Sequence, residues 1–82
     1  LSTAQEALAR RDFDDAERSL RQHKSEFGRA AKLAEERDAL YIRVLVARGS
    51  SASARARFEL FQKNYPSSIF IDALAPAFQA SP

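Results

Sequence analysis

Apolar residues recur at helical spacing along most of the chain, in segments separated by short breaks. Between residues 13 and 27 they fall at Phe13, Ala16, Leu20 and Phe27. This spacing places them in one stripe on an amphipathic helix. The only β-branched cluster, at residues 69–71, is too short and isolated to pair as a strand. The sequence therefore predicts an all-α fold with five helices, at about residues 2–10, 13–27, 30–48, 51–64 and 67–80.

The breaks between these segments carry residues that begin or end helices. Asp12 can cap the second helix, because its carboxylate can accept hydrogen bonds from backbone amides in the first turn. Gly28 and Gly49 are suited to helix ends, and Pro66 disfavours helical geometry in the residue before it. Pro76 lacks an amide donor, so we expect a kink or an end near residue 75. The short connections force neighbouring helices to be antiparallel.

The third, fourth and fifth helices carry further apolar stripes. Leu60 faces partly away from its stripe, and we expect the fifth segment to cover it. We interpret the fifth segment as a capping helix that closes the fold. A surface for a partner is the alternative, and one helix can serve both purposes. The candidate buried residues of the third helix are Leu33, Leu40, Tyr41, Val44 and Leu45, and the stripe of the fourth helix is Ala54, Phe58, Phe61 and Tyr65. The fifth segment carries the apolar residues Ile69, Phe70, Leu74 and Phe78.

Two stretches of the chain repeat at a constant offset of 38 residues, with apolar residues aligned to apolar and small to small. Repeats of about 20 to 50 residues mark stacked supersecondary units, which usually offer a surface to another molecule. The sequence therefore predicts one domain with two helical hairpins, at about residues 2–27 and 30–64, and a cap at about 67–80. The aligned pairs are Ala16 with Ala54, Leu20 with Phe58, Phe27 with Tyr65, and Gly28 with Pro66.

Composition narrows the classes of partner. The 82 residues include no Cys, and 13 Lys and Arg against 11 Asp and Glu give a net charge of +2. This small excess does not predict nucleic-acid binding. No apolar run approaches the roughly 18 residues of a membrane span, so this segment is not expected to insert. The chain opens on Leu1 without Met, and we expect an excised or processed piece whose missing region could hold an anchor.

Catalytic and metal chemistry are not expected. Nucleophilic catalysis needs a nucleophile beside a base, and His23 is the only imidazole in a chain without Cys. We interpret it as a half-buried histidine on a helix face, because no other metal ligands accompany it at matched spacing. The sequence thus predicts a protein that is not an enzyme and takes no cofactor or metal.

Two charged clusters were weighed for ligand binding. The acidic cluster of Asp12, Asp14, Asp15 and Glu17 is interpreted as a cap and a complement to the helix dipole, since a calcium loop would need a central Gly and a final bidentate Glu. The basic residues in and just before the fourth helix do not indicate phosphate binding, because this helix lacks exposed aromatic residues on which bases could stack. These basic residues are Arg48, Arg55, Arg57 and Lys63.

With the 38-residue offset established, the chain resembles tetratricopeptide repeats, in which each unit is a pair of helices. In that family the second helix carries a small residue, a large apolar residue four later, an aromatic near its end and then Pro. Ala54, Phe58, Tyr65 and Pro66 follow this order. The first unit matches with Ala16, Leu20 and Phe27, and with Gly28 in place of Pro.

Other positions depart from the family pattern. Gly49 fits the turn within a unit, but Arg11 stands at the matching position of the first unit. Ala4 fits the small position of the first helix, whereas Ile42 and Asp38 replace a small and a large residue in the second unit. The usual repeat has 34 residues, and an extra turn at the start of the third helix is expected to absorb the additional four.

The resemblance implies a right-handed stack that binds a protein or peptide on the side lined by the first helix of each unit. There, Arg43 could pair with a peptide carboxylate, but we favour the interpretation that it pairs with Asp38 or Glu36 on its own helix. Self-association through the apolar fifth segment is the second binding mode that we consider. The predicted partner-binding residues are Gln5, Leu8, Glu36, Arg43, Val46 and Phe70.

A further resemblance concerns cellular context. The second repeat unit has a long first helix and ends in Tyr65-Pro66-Ser67-Ser68. In these two features it is similar to the repeats of bacterial envelope proteins, such as outer-membrane assembly lipoproteins and cell-division coordinators. Residues 33–40 together with that turn also resemble the C-terminal tails of membrane-anchored anti-sigma or FecR-like regulators. These resemblances imply a periplasmic or envelope location, with the cytoplasm as the alternative. They also imply a second role, as a structural or oligomerisation tail of a larger regulator.

Overall fold

The computed structural model describes residues 2–28 and 33–78. All regular structure in these two ranges is helical, which confirms the predicted all-α class. The helices are α1 (Ser2–Ala9), α2 (Phe13–Phe27), α3 (Ala34–Ala47), α4 (Ser51–Asn64) and α5 (Phe70–Leu74), followed by a short 3₁₀ helix (Ala75–Phe78).

The predicted starts of two helices were too early. Leu33 lies in a turn and precedes α3, so the expected extra helical turn does not include it. The prediction that Leu33 is buried is also wrong, since its side chain is 45% exposed. Leu33 precedes the first turn of α3, so the helix does not hold its side chain against the core. Residues 30–32 lie outside the described residues. The fifth helix starts at Phe70 rather than at 67, and residues 79–80 also lie outside the described residues.

Helix ends follow the predicted local signals. The side chain of Asp12 caps α2 by accepting a hydrogen bond of 3.2 Å from the amide of Asp15. Helix α4 ends at Asn64, two residues before Pro66, and α5 ends at Leu74, two residues before Pro76. After α5 the chain tightens into the 3₁₀ helix, which agrees with the missing amide donor of proline.

Helix α3 lies between two separate groups of buried side chains. One side of it contributes to a first core cluster with α1 and α2, and another side contributes to a second core cluster with α4 and α5. The first core cluster consists of Ala4, Ala7, Ala16, Leu20, Leu40 and Val44, with Leu8, Phe13 and Tyr41 packed against it. The second consists of Ala39, Ile42, Phe58, Phe61 and Leu74, with Tyr65, Phe70, Ile71, Ala75 and Phe78 packed against it.

The C-terminal segment covers the second core cluster. Leu74 is buried there, and the ring of Phe78 stacks on that of Phe58 with centroids 4.7 Å apart. The segment does not cover Leu60, contrary to the prediction. Leu60 stays 46% exposed, because it lies on the side of α4 that faces a groove lined by α2 and α3.

The ends of α2 and α4 differ in burial although their aromatic residues align at the 38-residue offset. Tyr65 is half-buried in the second core cluster. Phe27 was predicted to belong to the buried stripe, but it is 55% exposed. It is the last residue of α2, and its ring packs on that of His23 at a centroid distance of 4.8 Å.

The turns that join α1 to α2 and α3 to α4 have the same backbone geometry. Arg11 and Gly49 hold equivalent positions, with positive φ angles of 61° and 87°. In each turn this residue donates its amide three residues back and the next residue donates five back, which is the Schellman arrangement. The amides of Arg11 and Gly49 donate to Leu8 and Val46 over 2.9 and 3.1 Å, and those of Asp12 and Ser50 to Ala7 and Leu45 over 2.8 and 2.9 Å.

Because the two turns match, a substitution in one has a natural comparison in the other. Gly49→Ala should lower the free energy of unfolding by about 1 kcal/mol, since a left-handed conformation is unfavourable for any residue with a Cβ. No atom lies within 4 Å of the added Cβ, so the cost is that of the backbone alone. Arg11→Gly should have the opposite sign. Urea denaturation of both variants checks this, and a neutral Gly49→Ala would contradict it.

Candidate functional site

Three of the six predicted partner-binding residues meet in one groove between α3 and α5. Arg43 and Val46 line it from α3, and Phe70 lines it from α5. The groove has a volume of about 350 Å³. We call it the α3–α5 groove. Its remaining lining consists of small or apolar side chains, from Ala39, Ala47, Ala73, Leu74 and Ala77.

The α3–α5 groove combines an apolar floor with a single cation. Val46 is 37% exposed, and Arg43 is also exposed. The expected pairing of Arg43 with Asp38 or Glu36 is not found in the described parts of the chain. Asp38 instead forms an ion pair with Arg37, its neighbour on α3. The groove can therefore accept an apolar side chain and place a negative group beside Arg43.

The other three predicted residues do not join this groove. Gln5 is exposed on α1, whereas Leu8 is half-buried and packs against the first core cluster. Glu36 is half-buried in the first turn of α3. The prediction placed them with Arg43 because they lie on the first helices of the two predicted hairpins. In the structure, Leu8 packs against side chains of the first core cluster instead of lining the groove.

A second groove, which the sequence analysis missed, lies between α2 and α4 with α3 as its floor. Two adjoining cavities of about 230 and 430 Å³ make it up. We call it the α2–α4 groove. In the sequence, the one indication of this groove was that Leu60 faces partly away from the apolar stripe of its helix. The residues shared by both cavities are Lys24, Arg37, Asp38, Tyr41 and Arg57.

A buried arginine closes one end of the α2–α4 groove. Arg37 is 3% exposed, and its Nη1 donates to the carbonyl oxygen of Gly28 at 2.8 Å. Its Nε donates to Oδ1 of Asp38 at 3.3 Å, while Oδ2 of Asp38 accepts from the hydroxyl of Tyr65 at 3.1 Å. Burial, followed by the Asp38 charge, raises the pKa of Tyr65, so this phenol remains a donor. The network ties the ends of α2 and α4 to α3.

A second polar contact joins the start of α3 to the turn before α5. The hydroxyl of Ser68 donates to the Glu35 carboxylate and accepts from the amide of Phe70 at 3.1 Å. Ser68 therefore satisfies a backbone donor at the beginning of α5. The Tyr65 and Ser68 positions of the sequence motif thus both have structural partners on α3.

The acidic cluster of α2 has a role that the sequence did not predict. Asp14 and Glu17 form ion pairs with Arg48, which follows α3, and the Asp14 contact measures 3.1 Å. Arg48, one of the basic residues considered above for phosphate binding, therefore forms ion pairs within the fold. Arg55 and Arg57 lie over the rings of Phe78 and Tyr41, at 5.8 and 5.0 Å. Within residues 2–28 and 33–78, no group of three or more His, Cys, Asp and Glu residues could hold a metal ion.

His23 is half-buried on α2 beside Phe27. Its Nδ1 is buried and makes no hydrogen bond with the described residues. Desolvation, followed by the charge of Arg37, lowers the pKa of His23 below its ordinary value, and Glu26 opposes this only in part. The imidazole is therefore neutral at pH 7.

The lowered pKa of His23 predicts a pH-dependent stability. The unfolded chain binds a proton at His23 more readily than the folded chain does, so the free energy of unfolding should fall as the pH drops below about 6.5. His23→Gln should make stability less dependent on pH between 7.5 and 5.5, because Gln does not titrate. Thermal unfolding across this range measures the effect. Parallel losses in the wild type and in His23→Gln would contradict it.

None of the described helices combines the length and apolar character that a membrane span requires. No protein-family model, curated protein or solved structure matches this chain.

Proposed function

We propose that this chain is a non-catalytic protein-interaction module that binds a peptide or protein segment in the α3–α5 groove. The observation that carries the proposal is the convergence of Arg43, Val46 and Phe70 on that groove. Arg43 and Val46 lie three residues apart on α3, and folding brings Phe70 of α5 next to them around a floor of small side chains.

The ligand that this lining favours has an apolar side chain next to a carboxylate. The apolar group would pack against Val46 and Phe70, and burial of one such side chain contributes about 1.5–3 kcal/mol. The carboxylate would accept hydrogen bonds from Arg43, a contact worth about 1.5–3 kcal/mol. Part of this gain is offset by ordering of the peptide, so we expect a weak, reversible interaction.

The two matched turns support a tetratricopeptide-like arrangement of the four longer helices. In this proposal α1 and α2 form the first hairpin, and α3 and α4 form the second. The first helix of the second hairpin then lines the binding surface, as it does in the family that the sequence resembles. Arg11, in the place of the usual glycine, adopts the left-handed conformation that such a turn needs.

Self-association is the second candidate function, and the exposure of Ile69 favours it. Ile69 is 80% exposed at the start of the C-terminal segment, beside Phe70. A large aliphatic side chain in this position can join two copies of the chain. This role agrees with an oligomerisation tail of a larger regulator.

Peptide binding in the α3–α5 groove is testable with the 82-residue chain and a random peptide display library. Enriched peptides should combine an apolar residue with a nearby acidic one. Arg43→Glu should weaken their binding by about tenfold, the equivalent of one charge-assisted hydrogen bond. Titration calorimetry with one synthetic peptide measures this. Arg18→Glu is the control, because Arg18 is exposed on α2 and pairs with Asp15. A lack of enrichment, or equal losses in both variants, would count against the proposal.

Self-association is tested by light scattering over a range of concentrations. If α5 joins two copies, the apparent mass should rise with concentration in the wild type and stay monomeric in Ile69→Asp. Ile69 is the suitable position, because Phe70 packs against the second core cluster and its replacement would also affect folding. A wild type that is monomeric at all concentrations excludes this second candidate.

A further inference from the structure

The α2–α4 groove differs in chemistry from the α3–α5 groove and uses another side of α3. Tyr41 forms part of its floor, whereas Arg43, two residues later, lines the other groove. Positions two apart on a helix point in directions about 200° apart, at about 3.6 residues per turn. The walls of the α2–α4 groove come from Lys24 on α2 and from Arg57 and Leu60 on α4. The two grooves are therefore separate binding surfaces.

The charges in the α2–α4 groove do not cancel. Among the described residues that line it, Asp38 is the one carboxylate, and its two oxygens accept hydrogen bonds from Arg37 and Tyr65. Arg21, at the edge of the groove, lies 3.9 Å from Glu17. Lys24 and Arg57 pair with no carboxylate among residues 2–28 and 33–78. Two positive charges on facing walls thus remain uncompensated.

Arg57 is held in a geometry suited to an anion. The central carbon of its guanidinium lies 5.0 Å from the centroid of the Tyr41 ring. A guanidinium stacked on an aromatic face keeps its N–H edge available, and that edge can bind both oxygens of a carboxylate. The stacking also restricts the side chain before a ligand arrives, which reduces the entropy lost on binding.

The lining of this groove also contains apolar side chains. Leu60 is 46% exposed, and Tyr41 is half-buried beneath Arg57. We propose that the α2–α4 groove binds a short acidic peptide segment in which carboxylates flank an apolar residue. The carboxylates bind Arg57 and Lys24, and the apolar side chain packs against Leu60. A nucleic acid is a poorer fit, because a phosphate chain needs a longer basic track and free aromatic faces for its bases.

The probe for this groove is the blocked peptide acetyl-Glu-Glu-Leu-Glu-Glu-amide, titrated into the 82-residue chain and followed by two-dimensional NMR. Saturable shifts are expected at the amides of Tyr41, Arg57 and Leu60. Arg57→Glu should weaken binding by about tenfold, because a charge-assisted contact is lost. Lys63→Glu is the matched control. It makes the same charge change on α4 outside the groove lining and should alter binding by less than about twofold.

Several outcomes would overturn this proposal. One is equal weakening by Arg57→Glu and Lys63→Glu, which would indicate a diffuse charge effect. A second is equal binding of the uncharged peptide acetyl-Gln-Gln-Leu-Gln-Gln-amide. A third is tighter, competing binding of a twelve-nucleotide oligothymidine, which would assign the groove to nucleic acid. Absence of saturable binding is the fourth.

This test is independent of the function proposed for the α3–α5 groove. Arg43→Glu should leave binding of the acidic probe to the α2–α4 groove unchanged within about twofold, since Arg43 is absent from its lining. If Arg43→Glu abolished binding of the acidic probe and Arg57→Glu did not, the probe would bind in the α3–α5 groove. That result would overturn the proposal for the α2–α4 groove.

Discussion

Helix α3 contributes to both core clusters, and among the described helices no other does. Leu40 and Val44, four residues apart, pack with α1 and α2, whereas Ala39 and Ile42 pack with α4 and α5. The two clusters share no side chain, so the backbone of α3 is what joins them. A helix with two buried sides has little surface left for solvent. This explains why the apolar residues of α3 do not form one narrow stripe.

The polar residues of α3 are arranged around this double burial. Arg37 would be costly to bury alone, and its hydrogen bonds to Gly28 and Asp38 offset part of that cost. Asp38 stands where the family pattern has a large apolar residue, and it uses the position to bind Tyr65. One end of the fold is thus closed by hydrogen bonds in place of apolar contact. Nearby, Lys24 and Arg57 form no ion pair with a carboxylate in the described parts of the chain.

Much of the fold was predictable from local patterns. Helix α2 could be predicted because its apolar residues lie on one side and because Asp12 and Gly28 mark its ends. The end of α4 could be predicted because Pro66 follows it. The site was predicted only in part. Arg43, Val46 and Phe70 meet in a groove, but spacing along one helix does not reveal which neighbour covers each side. The pairing of Arg48 with Asp14, across 34 residues of chain, has no local signature at all. The hydrophobic pattern of α4 indicated that Leu60 faces partly away from the apolar stripe, but it did not indicate that a groove lies beside this residue.

The separation of the two core clusters has a consequence for synthesis. Every residue of the first core cluster precedes residue 45, and α3 is complete at Ala47. During vectorial synthesis, α1, α2 and α3 can therefore collapse together while α4 and α5 are still inside the ribosome. The second core cluster requires Leu74 and cannot close until that residue has left the ribosome. In the interval, Ala39 and Ile42 would face solvent, and the nascent chain would present an apolar strip that the finished protein conceals.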